Sequence, residues 1–179
     1  MKTAFFDVDT QIDFLYPAGA LYVPGAERIV PAVAALNRYA AAHAIPVVSS
    51  MDAHAENDAE FAAWPPHCVA GTAGQAKPAA TLLEKGAQQI FVEKQTVNVF
   101  ETASIGDVLA RLDADRYVVY GVVTEVCVLH AARGLLAAGK RVEIVTDAIQ
   151  GLTPENSAAA LAELQSSGAT LTTTSEICR

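Results

Sequence analysis

Tyr117-Val118-Val119-Tyr120-Gly121-Val122-Val123-Thr124-Glu125-Val126-Cys127 sets the plan of the chain. Its first part is a short apolar run of strand-forming residues, Gly121 marks a turn, and the following stretch to Ala138 is rich in the good helix formers Ala and Leu. A strand that turns directly into a helix is one half of a βαβ unit. The same alternation recurs in both directions along the sequence.

Strands are predicted at Ala4–Val8, Pro46–Ser50, Gln89–Glu93, Tyr117–Gly121, Arg141–Val145 and Ala169–Thr173. Helices are predicted at Ala26–His43, Gly74–Lys85, Ser104–Leu112, Glu125–Ala138 and Pro154–Ser166, with Gly86 and Gly139 placed as C-caps. The expected fold is α/β, a three-layer, mostly parallel six-stranded sheet with helices on both faces, filling residues 1–179 as a single domain. Between Asp52 and Thr72 neither period holds and Trp64-Pro65-Pro66 interrupts the chain, so this is an irregular connection long enough to be functional.

The formal charge of -8 argues against nucleic acid or an anionic membrane surface, both of which reward clustered Lys and Arg. No apolar stretch reaches the length of a membrane span, and Met1-Lys2-Thr3 leads straight into a strand rather than a signal peptide. Three cysteines are too few for a disulfide framework, and their odd number points to reduced thiols. A small-molecule substrate and a cytoplasmic location are expected.

In an open α/β sheet, ligands bind beyond the carboxyl ends of the strands. There Asp9 follows the first strand, Asp52 and His54 the second, Lys94 the third, and Thr124 to Cys127 the fourth. Any one of these is an ordinary loop residue in most proteins. Together, an acid, a lysine and a cysteine form a coherent set for nucleophilic catalysis. A cysteine flanked by valines is more often a buried structural residue. At the start of a helix and near Lys94, however, a thiolate would be favoured, and backbone N–H groups of the Val122–Cys127 turn are available for an oxyanion hole.

A second group, Asp52, His54, Glu60 and His67, offers carboxylate and imidazole donors suited to zinc, iron or manganese. Its spacing alone is a weak signal. Phe14, Trp64 and Phe100 lie near these residues in sequence and are expected to wall an aromatic pocket, although each alone would more often be core.

Asp9-Thr10-Gln11-Ile12-Asp13-Phe14 resembles the Asp-x-Gln-x-Asp-Phe opening of isochorismatase-like hydrolases. Gly121 to Cys127 resembles their nucleophile turn, and Lys94 completes the match over nearly the whole chain. Met51-Asp52-Ala53-His54 and Trp64-Pro65-Pro66-His67-Cys68-Val69-Ala70-Gly71-Thr72 are similar to the metal-site segments of the nicotinamidase branch. The resemblance implies Asp9, Lys94 and Cys127 as catalytic residues. It further implies a cis peptide between Val122 and Val123 that directs the N–H groups of Val123 and Cys127 at an oxyanion. It implies a divalent metal, zinc by first choice with iron or manganese as alternatives, held by Asp52, His54 and His67, with Glu60 standing where some relatives have a glutamate ligand. The stretch Gln95–Phe100 departs from the Tyr-Ser-x-Phe pattern of many nicotinamidases, which leaves the aromatic wall on that side to Phe100. Relatives often assemble as homo-oligomers.

The expected reaction is hydrolysis of a small amide, nicotinamide first, through a Cys127 thioester. The alternatives are hydrolysis of another small amide or ureido compound, and a metal-binding or thiol-redox protein that has kept the scaffold without the hydrolysis.

Overall fold

Side chains in β1 (Thr3–Val8) alternate between two apolar clusters, with Ala4, Phe6 and Val8 in one and Phe5 in the other. A period of two with both faces covered is the mark of a parallel sheet. The computed structural model describes residues 1–84 and 86–179. In it β1 is joined by β2 (Val47–Asp52), β3 (Gln89–Lys94), β4 (Arg116–Val122), β5 (Arg141–Gln150) and β6 (Thr170–Thr172). The sheet runs β3-β2-β1-β4-β5-β6, and every neighbouring pair is parallel.

Helices follow in chain order as α1 (Ile12–Leu15), α2 (Val30–Ala42), α3 (Ile105–Leu112), α4 (Leu129–Ala137), α5 (Pro154–Ser166) and α6 (Thr174–Ile177). Val33, Leu36 and Ala40 of α2 pack on Phe5, Val118 and Tyr120, with Ile177 of α6 in the same layer. On the opposite face Val108 and Leu109 of α3, Leu135 of α4 and Leu164 of α5 pack on Phe6, Val119 and Ile144. Each such fully buried side chain stabilises the fold by roughly 1.5–3 kcal/mol. The three-layer α/β architecture expected from the sequence is the one observed.

Several helix boundaries differ from the sequence reading. Ala26–His43 divides into a 3-10 turn at Ala26–Ile29 followed by α2. Glu125–Ala138 opens as a π turn at Thr124–Val128 before α4, where the Val128 N–H reaches back to the Val123 carbonyl at 3.1 Å. At the far end of α4, Gly139 (φ 73°) caps as expected, with the Lys140 N–H bonded to the Leu135 carbonyl and the Gly139 N–H to the Leu136 carbonyl.

The helix expected at Gly74–Lys85 is absent among the described residues; a 3-10 turn at Ala79–Thr81 stands there instead, and Lys85 lies outside the description. Gly86 therefore caps no helix. Pro78 disfavours helix at Lys77 and removes a donor of its own. The carbonyls of Gly74 and Ala76 are taken by the N–H groups of Asp13 and Ile12 at 3.0 and 2.9 Å. Lys77 is drawn under the sheet to Asp7, 2.8 Å from its Oδ2, and also donates to Thr10.

The strand order reverses between β1 and β4, which places the ligand crevice at their carboxyl ends. These strands approach closely at Gly121, where a Cβ would meet the Val8 carbonyl oxygen at 2.0 Å and φ is 122°. Only glycine fits both demands. The chain leaves β1 at Asp9 and β4 at the Val122–Cys127 turn, side by side.

Candidate functional site

Lys94, the last residue of β3, reaches across β2 to the switch point. Its Nζ lies 2.8 Å from Asp9 Oδ2, donates to Asp52 Oδ1, and stands 3.7 Å from Cys127 Sγ. One ammonium thus joins groups delivered by β1, β2 and β4. Ser50 donates to Asp9 Oδ1 at 2.6 Å and so fixes the other carboxylate oxygen. Gln11 bridges the β1 and β2 loops by accepting from the Asp52 N–H at 2.7 Å and donating to the Asp52 carbonyl at 2.8 Å.

Asp9, Lys94 and Cys127 are all buried. Burial lifts the Asp9 carboxyl above its ordinary range, an effect that Lys94 opposes and the charge of Asp52 reinforces. Burial also pushes the Cys127 thiol well above its usual value; Lys94 pulls the other way, while Asp9 and Asp52 add to the rise. Burial and the two carboxylates thus work against the thiolate that the helix start and Lys94 favour. One cation shared between two carboxylates leaves no surplus positive charge for the sulfur. Burial works against the charge on Lys94, but the carboxylates of Asp9 and Asp52 hold its ammonium well above the ordinary value.

Beside this cluster, Asp52, His54 and His67 offer donor atoms within 4.8 Å of one another. Asp52 Oδ2 lies 3.5 Å from His67 Nε2 and 3.8 Å from His54 Nε2. The pair is assembled by backbone: the His54 N–H bonds the Cys68 carbonyl at 3.1 Å and the Ala70 N–H bonds the His54 carbonyl at 2.9 Å, a one-residue parallel bridge across the irregular connection. Burial opposes the charge on Asp52, but the Lys94 ammonium and the two adjacent imidazoles hold it well below the ordinary carboxylate range.

The donors fit a divalent metal. His67 Nδ1 faces the Pro65 carbonyl at 2.7 Å, which places its proton there and leaves Nε2 with a lone pair. His54 is wholly buried, and among the described residues neither ring nitrogen has an aligned hydrogen bond. A mixed set of imidazole and carboxylate suits zinc, iron or manganese. Glu60 lines the same cleft but lies outside the three-residue cluster.

Phe14 and Trp64 line the cleft over Cys127, together with Val122, Val123 and Val126 of the turn. The Val122–Val123 peptide is cis. Phe100 does not line the cleft: its ring lies against Gly134 of α4, where a Cβ would meet it at 2.1 Å, and packs on the core. Val97 from the same loop provides that wall. Sequence reasoning also missed Leu21, Tyr22 and Val23 after α1, Leu152 after β5, and Phe61, which packs on His54 and His67 at ring-centre distances of 5.3 and 5.7 Å. Their sequence signal is plain hydrophobicity, indistinguishable from that of core residues. No Lys or Arg lines the cleft among the described residues. Nor is any described helix long and apolar enough to cross a membrane.

The isochorismatase domain family matches residues 3–176. The nicotinamidase of Escherichia coli (strain K12) is 28% identical over 200 residues, covering 93% of this chain and 92% of that protein. The crystal structure of the Pyrococcus horikoshii pyrazinamidase in complex with zinc superposes with a TM-score of 0.88 at 30% identity, over 97% of this chain and 99% of that one. The pyrazinamidase/nicotinamidase of Streptococcus mutans UA159 gives a TM-score of 0.89 at 28% identity, over 96% and 100% of the two chains. With its fold, its clustered side chains and these likenesses taken together, the chain belongs to the isochorismatase family and is an amidohydrolase of its nicotinamidase-like branch.

Proposed function

We propose that this enzyme hydrolyses nicotinamide to nicotinic acid and ammonia through a Cys127 thioester. The observation that carries the reading is the position of Lys94, which ties the nucleophile and its acid to Asp52 and thereby to the histidine pair beside one apolar cleft. A flat, neutral ring fits between Phe14, Trp64 and Val97, with its carboxamide over the sulfur. Asp9, Asp52 and Glu60 disfavour a substrate that carries its own carboxylate, because no cation of the cleft wall is free to meet it.

Asp9 takes the Cys127 thiol proton as the sulfur attacks the carboxamide carbon, and its raised proton affinity suits it to that task. The negative charge that forms on the carbonyl oxygen falls to the N–H groups of Val123 and Cys127. Asp9 then passes the proton to the amide nitrogen, the C–N bond breaks, and ammonia leaves a thioester. A water gives a proton to Asp9 and attacks the thioester carbon; the acid departs and the thiol regains its proton. Lys94 keeps Asp52 and Asp9 in place and balances one negative charge throughout. Asp52, His54 and His67, with Glu60 nearby, would hold a divalent metal, zinc by first choice, that offers a Lewis-acid contact for the ring nitrogen.

The test is ammonia and nicotinic acid release from nicotinamide by the wild type and by Cys127→Ala. Turnover in the wild type that vanishes in the variant is expected. Turnover that persists in Cys127→Ala rules out the thioester, and an inert wild type that hydrolyses other amides rules out the substrate.

A further inference from the structure

The two histidines of the metal set are braced differently. His67 has the Pro65 carbonyl at Nδ1, 2.7 Å away, whereas His54 has a carboxylate there: Asp58 Oδ2 lies 3.1 Å from Nδ1. The His54 ring is sealed from solvent, and Asp58 keeps only 12% of its side-chain exposure. The second oxygen of the same carboxylate, Oδ1, accepts the Glu60 N–H at 2.9 Å and so caps the 3-10 turn Ala59–Ala62. That turn carries Glu60 to the cleft and Phe61 onto both imidazoles.

We propose that Asp58 is a positioning residue of the metal centre. Oδ2, 3.1 Å from Nδ1 though not aligned as a hydrogen bond, favours the His54 proton on Nδ1, so that Nε2 presents its lone pair beside Asp52. Through Oδ1 Asp58 seats the turn that carries Glu60 to the cleft. This inference rests on the metal reading given above and deepens it. A metal-ligating histidine characteristically donates its other N–H to a carboxylate or carbonyl, which sets the tautomer and makes the ligating nitrogen more basic. The Pro65 carbonyl does this for His67, and Asp58 is the matching group for His54. Nothing else in the sequence pattern singles Asp58 out from neighbouring Glu56 and Asn57.

A cap alone would explain Oδ1 but not the approach of Oδ2 to a buried imidazole, and Asp58→Asn separates the two. Asparagine caps as well as aspartate, so the turn survives. Its amide NH2 can only donate, and facing Nδ1 it favours the proton on Nε2, the atom the metal needs. Zinc affinity, read by competition with a chromophoric chelator, is expected to fall by roughly 10- to 100-fold in Asp58→Asn, while the metal-free protein melts close to the wild type. Asp58→Ala should lose the affinity and some thermal stability as well. Wild-type zinc affinity in Asp58→Asn reduces the residue to a helix cap and overturns the inference alone. A wild type that takes up no zinc, with His54→Ala indistinguishable from it, overturns the metal reading itself and this inference with it.

Discussion

Lys94 Nζ lies 2.8 Å from Asp9 Oδ2, with both side chains closed to solvent. The same ammonium serves Asp52. Its removal leaves two buried carboxylates facing each other with nothing between them. Replacement by Met keeps the bulk and deletes the charge, and the expected loss is about 3–5 kcal/mol of stability. Activity on an amide should fall by roughly a thousandfold or more, because Asp9 is then protonated and can no longer accept the thiol proton. Urea unfolding and steady-state kinetics on Lys94→Met check both; a variant as stable as the wild type would show that the cation does not hold the cluster.

The cleft wall is Val97, not Phe100. Val97→Ala should raise KM with little change in stability, since the wall recedes from the ring. Phe100→Leu should leave KM alone and cost about 1 kcal/mol through lost packing on α4. Gly134→Ala, which drives a methyl into the Phe100 ring, should cost roughly 1–3 kcal/mol. A KM effect confined to the Phe100 variant would reverse this assignment.

Asp13 holds the metal-site loop from below. Its carboxylate accepts the Cys68 N–H at 2.7 Å and the Ala20 N–H at 2.9 Å, and Gly74 sits so close that a Cβ would meet Asp13 Oδ2 at 2.2 Å. Asp13→Ala leaves the buried Cys68 N–H unpaired, at about 1–3 kcal/mol for such a loss. Because Cys68 adjoins His67, zinc affinity should drop alongside stability. Equal unfolding midpoints for variant and wild type would count against this brace.

Tyr117 is fully buried, and its hydroxyl finds no partner among the described residues. Tyr117→Phe should therefore be neutral or stabilising by about 1–2 kcal/mol at neutral pH. Burial, reinforced by Asp113, pushes the phenol up to about 12 in the folded state. The unfolded chain releases that proton near pH 10, earlier than the folded one, so stability is intact below about pH 10 and falls as pH rises toward 12. The phenylalanine variant should lack this part of the alkaline decline, at most about 3 kcal/mol, in denaturation curves recorded across that range. An identical decline in both proteins would mean that Tyr117 does not contribute to it.

Most of the architecture was legible in the sequence because the two hydrophobic periods are local. Six strands and the helices between them follow from Val-, Ile- and Ala-rich runs, and α5 was read to the residue because Thr153 and Pro154 announce its start. Gly74–Lys85 misled because its Ala and Leu content favours helix while the decisive facts are distant. Its carbonyls are claimed by Ile12 and Asp13, and Lys77 is claimed by Asp7.

The sequence by itself determined the α/β class, and it set Asp9, Asp52, Lys94 and Cys127 at the carboxyl ends of four strands, because strand periodicity and loop position are written within a few residues of each group. The tertiary structure alone decided which way their proton affinities move, because burial and one shared ammonium act on the Cys127 thiol and the Asp9 carboxyl. It alone exchanged Phe100 for Val97, since either could face the cleft until α4 packed against the loop. And it alone placed Asp58 against His54, because that approach depends on how a long irregular connection folds back on itself.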